Sequence, residues 1–110
     1  MGFMIATYGF TSTVTAKPGL GDQLVQVLLS ALDDGNPAST EYCVTFLISQ
    51  SAANPDLIHV TEGWTSEEDH HRVFAGPAAQ AIVARTQELA ADATPYTDFV
   101  PRGGKTVLGV

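Results

Sequence analysis

The fold is most tightly constrained by residues 57–77. This segment alternates apolar and polar residues as far as Trp64, a pattern typical of a strand with one buried face. Ser66 follows as a candidate helix cap, and the next three residues are carboxylates, which the positive end of a helix dipole favours. Gly76 and Pro77 then end this short helix and begin another, which apolar spacing extends to residue 91. The segment therefore predicts a strand that runs directly into a helix broken in two.

Three further strands and one more helix are predicted outside this segment. Alternation over residues 4–16 predicts a first strand, and the helical spacing of apolar residues over 20–32 predicts a first helix. Residues 42–48 alternate again as a second strand, and residues 94–101 predict a weaker last strand. The resulting order, β-α-β-β-α-α-β, is that of a ferredoxin-like split βαβ fold whose second helix is broken.

The predicted sheet leaves one of its faces uncovered. We predict an α+β domain over residues 1–102, with a four-stranded antiparallel sheet and helices on one face, and a C-terminal tail over residues 103–110. The other face is then expected to expose valine, phenylalanine and tyrosine side chains, which need a partner surface. We therefore predict a homodimer in which two sheets pack face to face.

Charge and cysteine content exclude several classes of partner. The chain carries 12 acidic and 5 basic residues, a net charge of −7, which repels phosphate backbones and anionic membrane surfaces. We therefore expect no nucleic acid and no membrane partner. Cys43 is the single cysteine, so no disulfide forms within the chain, and we expect a cytoplasmic location with Cys43 as a buried structural thiol.

Three local features together resemble the antibiotic biosynthesis monooxygenase family. They are the Lys-Pro-Gly turn at 17–19, the Glu-Gly-Trp strand end at 62–64 and the Ala-Gly-Pro break at 75–77. The resemblance covers residues 4–102 and implies a dimeric α+β barrel. Because members that oxidise quinols or anthrones work without flavin, haem or metal, it also implies a monooxygenase with no cofactor.

The resemblance further implies what the site must contain. In these relatives the aromatic substrate loses a proton, becomes electron-rich and passes an electron to molecular oxygen. The protein supplies an apolar cavity between sheet and helices, a proton acceptor for a phenol and a hydrogen-bond donor for the developing oxyanion. The expected ligands are therefore oxygen and a small aromatic substrate, such as a quinol, an anthrone or a similar polycyclic.

Trp64 and His70 are the catalytic residues that the resemblance implies. Trp64 is the family's strand-end tryptophan, which lines the cavity and orients an aromatic ring; the alternative is a core tryptophan that closes the sheet against the second helix. His70 falls six residues later, where anthrone-type relatives carry a tyrosine, and its imidazole would accept a phenolic proton near neutral pH. The alternative for His70 is a partly exposed histidine stacked on Phe74.

Six further residues are candidates for binding the substrate. Phe74 lies one helical turn after the candidate histidine, and Arg85 lies within about a residue of a substrate-contacting arginine of anthrone-type relatives, or forms a surface ion pair. Glu62 shares the strand face of the tryptophan, so its carboxylate either faces the cavity or forms a hydrogen bond at the strand end. Strand tyrosines can bind a quinone oxygen, and the sequence leaves open whether Tyr8, Tyr42 or Tyr96 does so.

The positions of the histidines argue against a bound metal or haem. The adjacent histidines His70 and His71 cannot both bind a metal from one helical face, so no metal is expected. Haem-degrading relatives carry a histidine nine or ten residues after the tryptophan, where this chain has Val73 and Phe74. Two other functions stay open: a non-catalytic dimeric binding module, and an isomerase or lyase of the same superfold that uses His70 as a base.

Overall fold

A five-stranded antiparallel sheet forms one layer of the protein. The computed structural model describes residues 5–106. The strand order is β2-β3-β1-β4, and β5 also pairs with β1, so the first strand of the chain is central. The strands are β1 (Tyr8–Ala16), β2 (Cys43–Gln50), β3 (Leu57–Trp64), β4 (Ala90–Ala93) and β5 (Thr97–Phe99).

Three α-helices form the other layer. They are α1 (Gly21–Leu29), α2 (Glu67–Phe74) and α3 (Pro77–Leu89). Two single turns of 3₁₀ helix, Ser30–Leu32 and Pro37–Ser39, connect α1 to β2. The element order confirms the ferredoxin-like α+β prediction, including the second helix broken at Gly76 and Pro77. No helix within residues 5–106 is long and apolar enough to cross a membrane.

The last part of the chain differs from the prediction. The α3 helix ends at Leu89 rather than at residue 91, and the single expected strand is replaced by β4 and β5. Pairing with β1 is the physical reason, because Lys17 donates its backbone N–H to the Leu89 carbonyl and draws the following alanines into the sheet. Between β4 and β5 the Thr94 hydroxyl accepts the backbone N–H of Thr13 at 2.8 Å. The boundary of the tail at residue 103 stays a prediction.

A side-chain cap fixes the junction between β3 and α2. The Ser66 hydroxyl accepts the backbone N–H of Asp69 at 2.9 Å, as expected for a helix cap. The Asp69 carboxylate in turn accepts hydrogen bonds from Thr65 and Arg72, and these bonds lower the pKa of Asp69. The strand therefore enters the helix through a fixed turn, which sets the position of the α2 side chains relative to Trp64.

The two faces of the sheet differ sharply in composition. The face toward the helices is apolar, and β1 and β3 contribute Phe10, Val14, Ala16, Ile58, Val60 and Trp64 to the core. The open face was expected to expose valine, phenylalanine and tyrosine; it carries Val44, Leu47 and Phe99 among side chains that are mainly threonine. Tyr8 and Phe46 lie on the helix side instead, because the pleat places the apolar parity of each strand against the helices.

Gly9 allows β5 to lie close to β1. A Cβ atom at this position would lie 2.3 Å from Cε1 of Phe99 and 2.7 Å from the carbonyl oxygen of Glu62. Any side chain would therefore push Phe99 out of its place over the strand. The close approach keeps β5 paired with β1 and holds the residues between β4 and β5 next to the helix side of the sheet.

Candidate functional site

A cavity of about 240 Å³ lies between the helix side of the sheet and helices α1 and α3. This is where the family resemblance places a substrate cavity. Its lining is predominantly apolar, so a ligand inside it would be held mainly by hydrophobic and aromatic contacts. The side chains that line it include Ser12, Phe46, Glu62, Trp64, Phe74, Thr86, Gln87, Thr94 and Tyr96.

Glu62 and Trp64 form the polar centre of this cavity. They stand two residues apart on β3, so their side chains leave the same face of the sheet. Trp64 is only 2% exposed, and its indole N–H donates to Oε1 of Glu62 at 2.8 Å. The tryptophan therefore both walls the cavity and fixes the direction of the carboxyl group.

Burial tunes Glu62 to exchange a proton near neutral pH. Loss of solvent raises the pKa of Glu62 from 4.5 to about 7, and the hydrogen bond from Trp64 opposes this rise. A carboxyl group whose pKa is close to the working pH is suited to act as a proton acceptor in the cavity. Among the predicted site residues, Glu62 combines contact with the cavity and a pKa suited to this role.

His70 lies behind the cavity wall rather than among the residues that line it. It is 2% exposed on α2, and its ring meets Trp64 edge-on at a centroid distance of 5.0 Å. Phe10 and Phe74 pack against it at 4.9 and 5.4 Å. Burial lowers the pKa of His70 to about 4, so the imidazole is neutral at pH 7 and weakly basic. It is therefore neither the partly exposed histidine of the alternative nor a base tuned to neutral pH.

The Nδ1 atom of His70 is buried and forms no hydrogen bond with any of residues 5–106. An orphaned buried nitrogen costs about 1–3 kcal/mol, so other contacts must hold the ring in place. Those contacts are aromatic: besides the three rings already named, Tyr8, Tyr96 and His71 lie within about 6 Å of it. His70 therefore acts here as a packing centre that supports Trp64 and Phe74 from behind.

The structure distinguishes the three candidate tyrosines. Tyr96 lines the cavity, and its ring stacks on Phe10 at a centroid distance of 3.9 Å. Tyr8 lies on the helix side next to His70, outside the cavity lining, and its hydroxyl donates to Asp98 at 3.1 Å. Tyr42 lies under the guanidinium of Arg72, 4.5 Å from it. The cavity therefore takes its phenol from Tyr96.

The remaining predicted residues also differ in whether they line the cavity. Phe74 lines the cavity, whereas Arg85 is exposed on α3 and is not part of the lining. Cys43 is half-buried, and burial raises its pKa to about 12, which fits an unreactive thiol. Within residues 5–106 no group of three His, Cys, Asp or Glu side chains is arranged to hold a metal ion.

Sequence reasoning missed Ser12, Phe46, Thr86 and Thr94 as lining residues. Ser12 carried a usable signal, because it interrupts the apolar parity of Phe10 and Val14 on β1 with a small hydroxyl. A polar residue on a buried strand face often marks a site where a cavity or ligand replaces packing. Thr94 was predicted to begin the last strand but lies in the connection between β4 and β5, and its position depends on pairing with β1 that the sequence does not display.

Comparison with known proteins rests on structure. Neither a protein-family model nor a curated protein matches the sequence. A candidate antibiotic biosynthesis monooxygenase from Chloroflexus aurantiacus J-10-fl superposes with a TM-score of 0.79 and 28% identity, over 92% of this chain and 98% of the other. The chain is a structural relative of the antibiotic biosynthesis monooxygenase family. The resemblance predicted from the sequence is thereby confirmed at the level of the family.

More distant relatives share the fold. Candidate antibiotic biosynthesis monooxygenases from Deinococcus radiodurans and Nitrosomonas europaea match with TM-scores of 0.67 and 0.70, at 17% and 14% identity. They cover 94% and 87% of this chain, and 98% and 97% of their own lengths. A second Nitrosomonas europaea protein, described as being of unknown function, matches over 98% of this chain with a TM-score of 0.73 and 19% identity. Membership of this structural group therefore fixes the fold and leaves the substrate open.

Glu62 and His70 give this member of the group opposing contributions to the pH dependence of stability. Folding raises the pKa of Glu62 to about 7, so the folded state gains relative stability as the pH falls from 7 to 4.5. Folding lowers the pKa of His70 from 6.5 to about 4, so the folded state loses stability as the pH falls through that range. Each shift corresponds to about 3 kcal/mol, so the two contributions nearly cancel.

We therefore expect Glu62→Gln to remove the contribution to stability that offsets that of His70. Between pH 6.5 and 4.5 the variant should lose stability relative to the wild type as the pH falls, because only the unfavourable protonation of His70 remains. Urea unfolding of both proteins across this interval measures the difference, in which contributions from exposed carboxylates cancel. Parallel pH profiles for the two proteins would contradict the raised pKa of Glu62.

Proposed function

We propose that this protein is a monooxygenase that oxidises a small phenolic aromatic with molecular oxygen, in the cavity between the sheet and helices α1 and α3. The observation that carries the proposal is a single carboxyl group, Glu62, in a predominantly apolar cavity, with its pKa raised to about 7. Such a group can take the proton of a phenol and leave an electron-rich anion next to apolar walls. Structural similarity to the antibiotic biosynthesis monooxygenases supports the reaction class.

The proposed reaction needs proton transfer and electron transfer from the substrate alone. Glu62 accepts the phenolic proton, and the resulting anion donates an electron to oxygen. A hydroquinone that takes up one oxygen atom leaves as a hydroxyquinone, and the second oxygen atom leaves with two hydrogens as water. Because the substrate supplies all the electrons, the proposal requires neither a flavin nor a haem nor a metal.

Trp64 and Phe74 have separate roles in this proposal. Their rings line the cavity and hold the aromatic plane of the substrate, while the Trp64 indole fixes the Glu62 carboxyl through its hydrogen bond. His70 is proposed as a positioning residue, since it packs against both rings from behind. This assignment moves the proton acceptor from the histidine expected from the sequence to the neighbouring glutamate.

The proposal includes a homodimer formed through the open face of the sheet. A groove of about 720 Å³ runs along this face, and Ile5, Val44, Leu47 and Phe99 contribute apolar walls to it. Polar threonines around them leave hydroxyl groups that a second copy of the sheet can satisfy with hydrogen bonds. The cavity lies on the opposite side of the sheet, so dimerisation leaves it accessible.

Oxygen uptake tests the proposed reaction. Purified protein, treated with chelator and without added flavin, is mixed with hydroquinones and anthrones, and oxygen consumption is compared with autoxidation in heat-denatured protein. We expect saturable uptake with at least one substrate and a hydroxylated or newly carbonylated product by mass spectrometry. Saturable binding with no uptake above the autoxidation rate would favour the non-catalytic module. Product formation under anaerobic conditions would favour the isomerase or lyase.

A further inference from the structure

Two readily oxidised side chains are neighbours where β1 begins and β3 ends. Tyr8 and Trp64 are directly opposite each other in the pairing of these strands, so their rings leave the same face of the sheet. The Trp64 ring lines the cavity, whereas Tyr8 lies outside the lining and is only half-buried. One oxidisable ring therefore stands in the cavity wall, and a second stands beyond it, closer to solvent.

An aromatic ring contacts both members of this pair. The His70 centroid lies 5.0 Å from that of Trp64 and 6.0 Å from that of Tyr8. Electrons tunnel efficiently between rings that are packed in contact, so this cluster gives an electron a short route from the phenol to the indole. Burial lowers the pKa of His70 to about 4. The imidazole is therefore neutral at pH 7 and places no positive charge beside a ring that has lost an electron.

Both oxidisable rings donate their acidic hydrogen to a carboxyl group. The Trp64 indole N–H donates to Glu62 at 2.8 Å, and the Tyr8 hydroxyl donates to Asp98 at 3.1 Å. A tryptophan or tyrosine side chain that loses an electron becomes far more acidic, so its oxidation is easier where a proton acceptor is already hydrogen-bonded to it. Asp98 is exposed on β5, so a proton that it accepts can pass on to water.

The cavity is the place where an oxidant of these rings would form. In the proposed reaction an electron-rich aromatic gives an electron to oxygen, and a substrate radical that binds a further oxygen molecule is an organic peroxyl radical. The Trp64 ring lines the same cavity. Irreversible oxidation of this ring would remove the hydrogen bond that fixes the Glu62 carboxyl. Only this source of the oxidant rests on the proposed function, because the arrangement of the two rings does not depend on it.

We propose that Trp64 and Tyr8 form a pathway that carries an oxidising equivalent out of the cavity to the surface beside Asp98. The peroxyl radical takes an electron from Trp64 and a proton from water and becomes a hydroperoxide, while the indole proton passes to Glu62. Tyr8 then returns an electron to Trp64, which regains its proton from Glu62, and the phenolic proton passes to Asp98 and on to water. A thiol in solution gives a hydrogen atom to the tyrosyl radical and becomes a thiyl radical.

Pulse radiolysis with azide tests the electron transfer without substrate or turnover. The azide radical is a small one-electron oxidant that prefers indole to phenol at neutral pH. Trp64 is the single tryptophan of the chain, so the absorption of the indolyl radical reports on this residue alone. In oxygen-free solution we expect the indolyl absorption to convert into that of a phenoxyl radical at a rate independent of protein concentration. Deuterated water should slow the conversion, because protons move with the electron.

Four substitutions locate the acceptor of the oxidising equivalent. Tyr8→Phe keeps the ring and removes the phenol, and we expect loss of the concentration-independent conversion. Asp98→Asn keeps an oxygen that can accept the hydrogen bond but not the proton, so the conversion should be slower. Tyr42→Phe removes a phenol that lies against Arg72 and should match the wild type. Tyr96→Phe removes the other cavity-side phenol and should also keep the conversion.

Protection of Trp64 is measured separately. Wild type, Tyr8→Phe and Tyr42→Phe are exposed to a thermal source of peroxyl radicals in the presence of a thiol, and oxidised tryptophan is quantified by mass spectrometry. We expect it to accumulate faster in Tyr8→Phe than in the other two proteins. Equal accumulation in all three would overturn the protective role.

The remaining outcomes separate the pathway from the proposed function. The pathway is overturned if Tyr8→Phe converts as fast as the wild type, or if Tyr96→Phe abolishes the conversion. It is also overturned if the wild type yields no indolyl radical, or one whose decay depends on protein concentration. Oxygen uptake tests the proposed function by itself, so either result can stand without the other.

Discussion

Replacing Glu62 with glutamine is expected to lower kcat/KM for oxygen-dependent oxidation by about 10²–10⁴-fold, the usual contribution of a positioned proton acceptor. Glutamine is nearly isosteric, and its carbonyl oxygen can still accept the Trp64 indole hydrogen bond, so the cavity should keep its shape. It cannot accept the substrate proton. Oxygen uptake with the best substrate of the panel measures the loss.

The pH dependence of activity provides a second readout of the same group. Because Glu62 must be ionised to act as a base, wild-type kcat/KM should rise with pH through about 7 and then level off. The residual activity of Glu62→Gln should lack this inflection. Glu88→Gln, which neutralises an exposed carboxylate on α3, is the matched control and should follow the wild type. Retention of the inflection in Glu62→Gln would assign it to another group and remove Glu62 from the mechanism.

Replacing Phe10 with alanine is expected to lower the free energy of unfolding by about 3–5 kcal/mol, as for other fully buried aromatic residues. Phe10 is 0% exposed at the centre of the sheet. Its ring packs against the rings of Tyr96 and His70 at centroid distances of 3.9 and 4.9 Å. Removal of the Phe10 ring therefore leaves a void beneath two other rings. Since small domains are stable by only about 5–15 kcal/mol in total, the loss should be evident in urea unfolding.

Phe99 supplies a control on the opposite face of the same sheet. It lies 37% exposed on β5, close to β1, so Phe99→Ala removes the same ring from a position that solvent already reaches. We expect its cost to be less than half that of Phe10→Ala, because less apolar surface returns to water. Equal losses at the two positions would mean that the open face is as well packed as the helix side.

Most of the fold was predictable because its signals are local. The β3 strand has the predicted boundaries, since both its parity and its end are set by neighbouring residues. The Ser66 cap and the break at Pro77 are similarly short-range. The region after Leu89 was predicted less well, because its alanines become strands only through pairing with β1, more than 70 residues earlier in the sequence.

In the candidate site, too, the sequence predicted what local patterns determine and missed what long-range packing determines. Strand parity correctly placed Glu62 and Trp64 on one face, since alternation along a strand needs no information from other elements. It did not identify Tyr96 as the lining tyrosine, because Tyr96 lies in a connection whose path depends on β4 and β5. The position of His70 behind the wall likewise depends on how α2 packs on the sheet, which helical periodicity alone does not define.

The central position of β1 has a consequence for how the protein is made. One edge of this strand pairs with β3, but the other pairs with β4 and β5, which lie at residues 90–99 and leave the ribosome after every other described strand and helix. During synthesis, β1 therefore presents an open edge to any nascent or chaperone-bound strand nearby. If translation terminates before residue 90, this edge of β1 never acquires its partner strands. Incomplete chains should consequently be found in aggregates and protease digests rather than as a smaller folded protein.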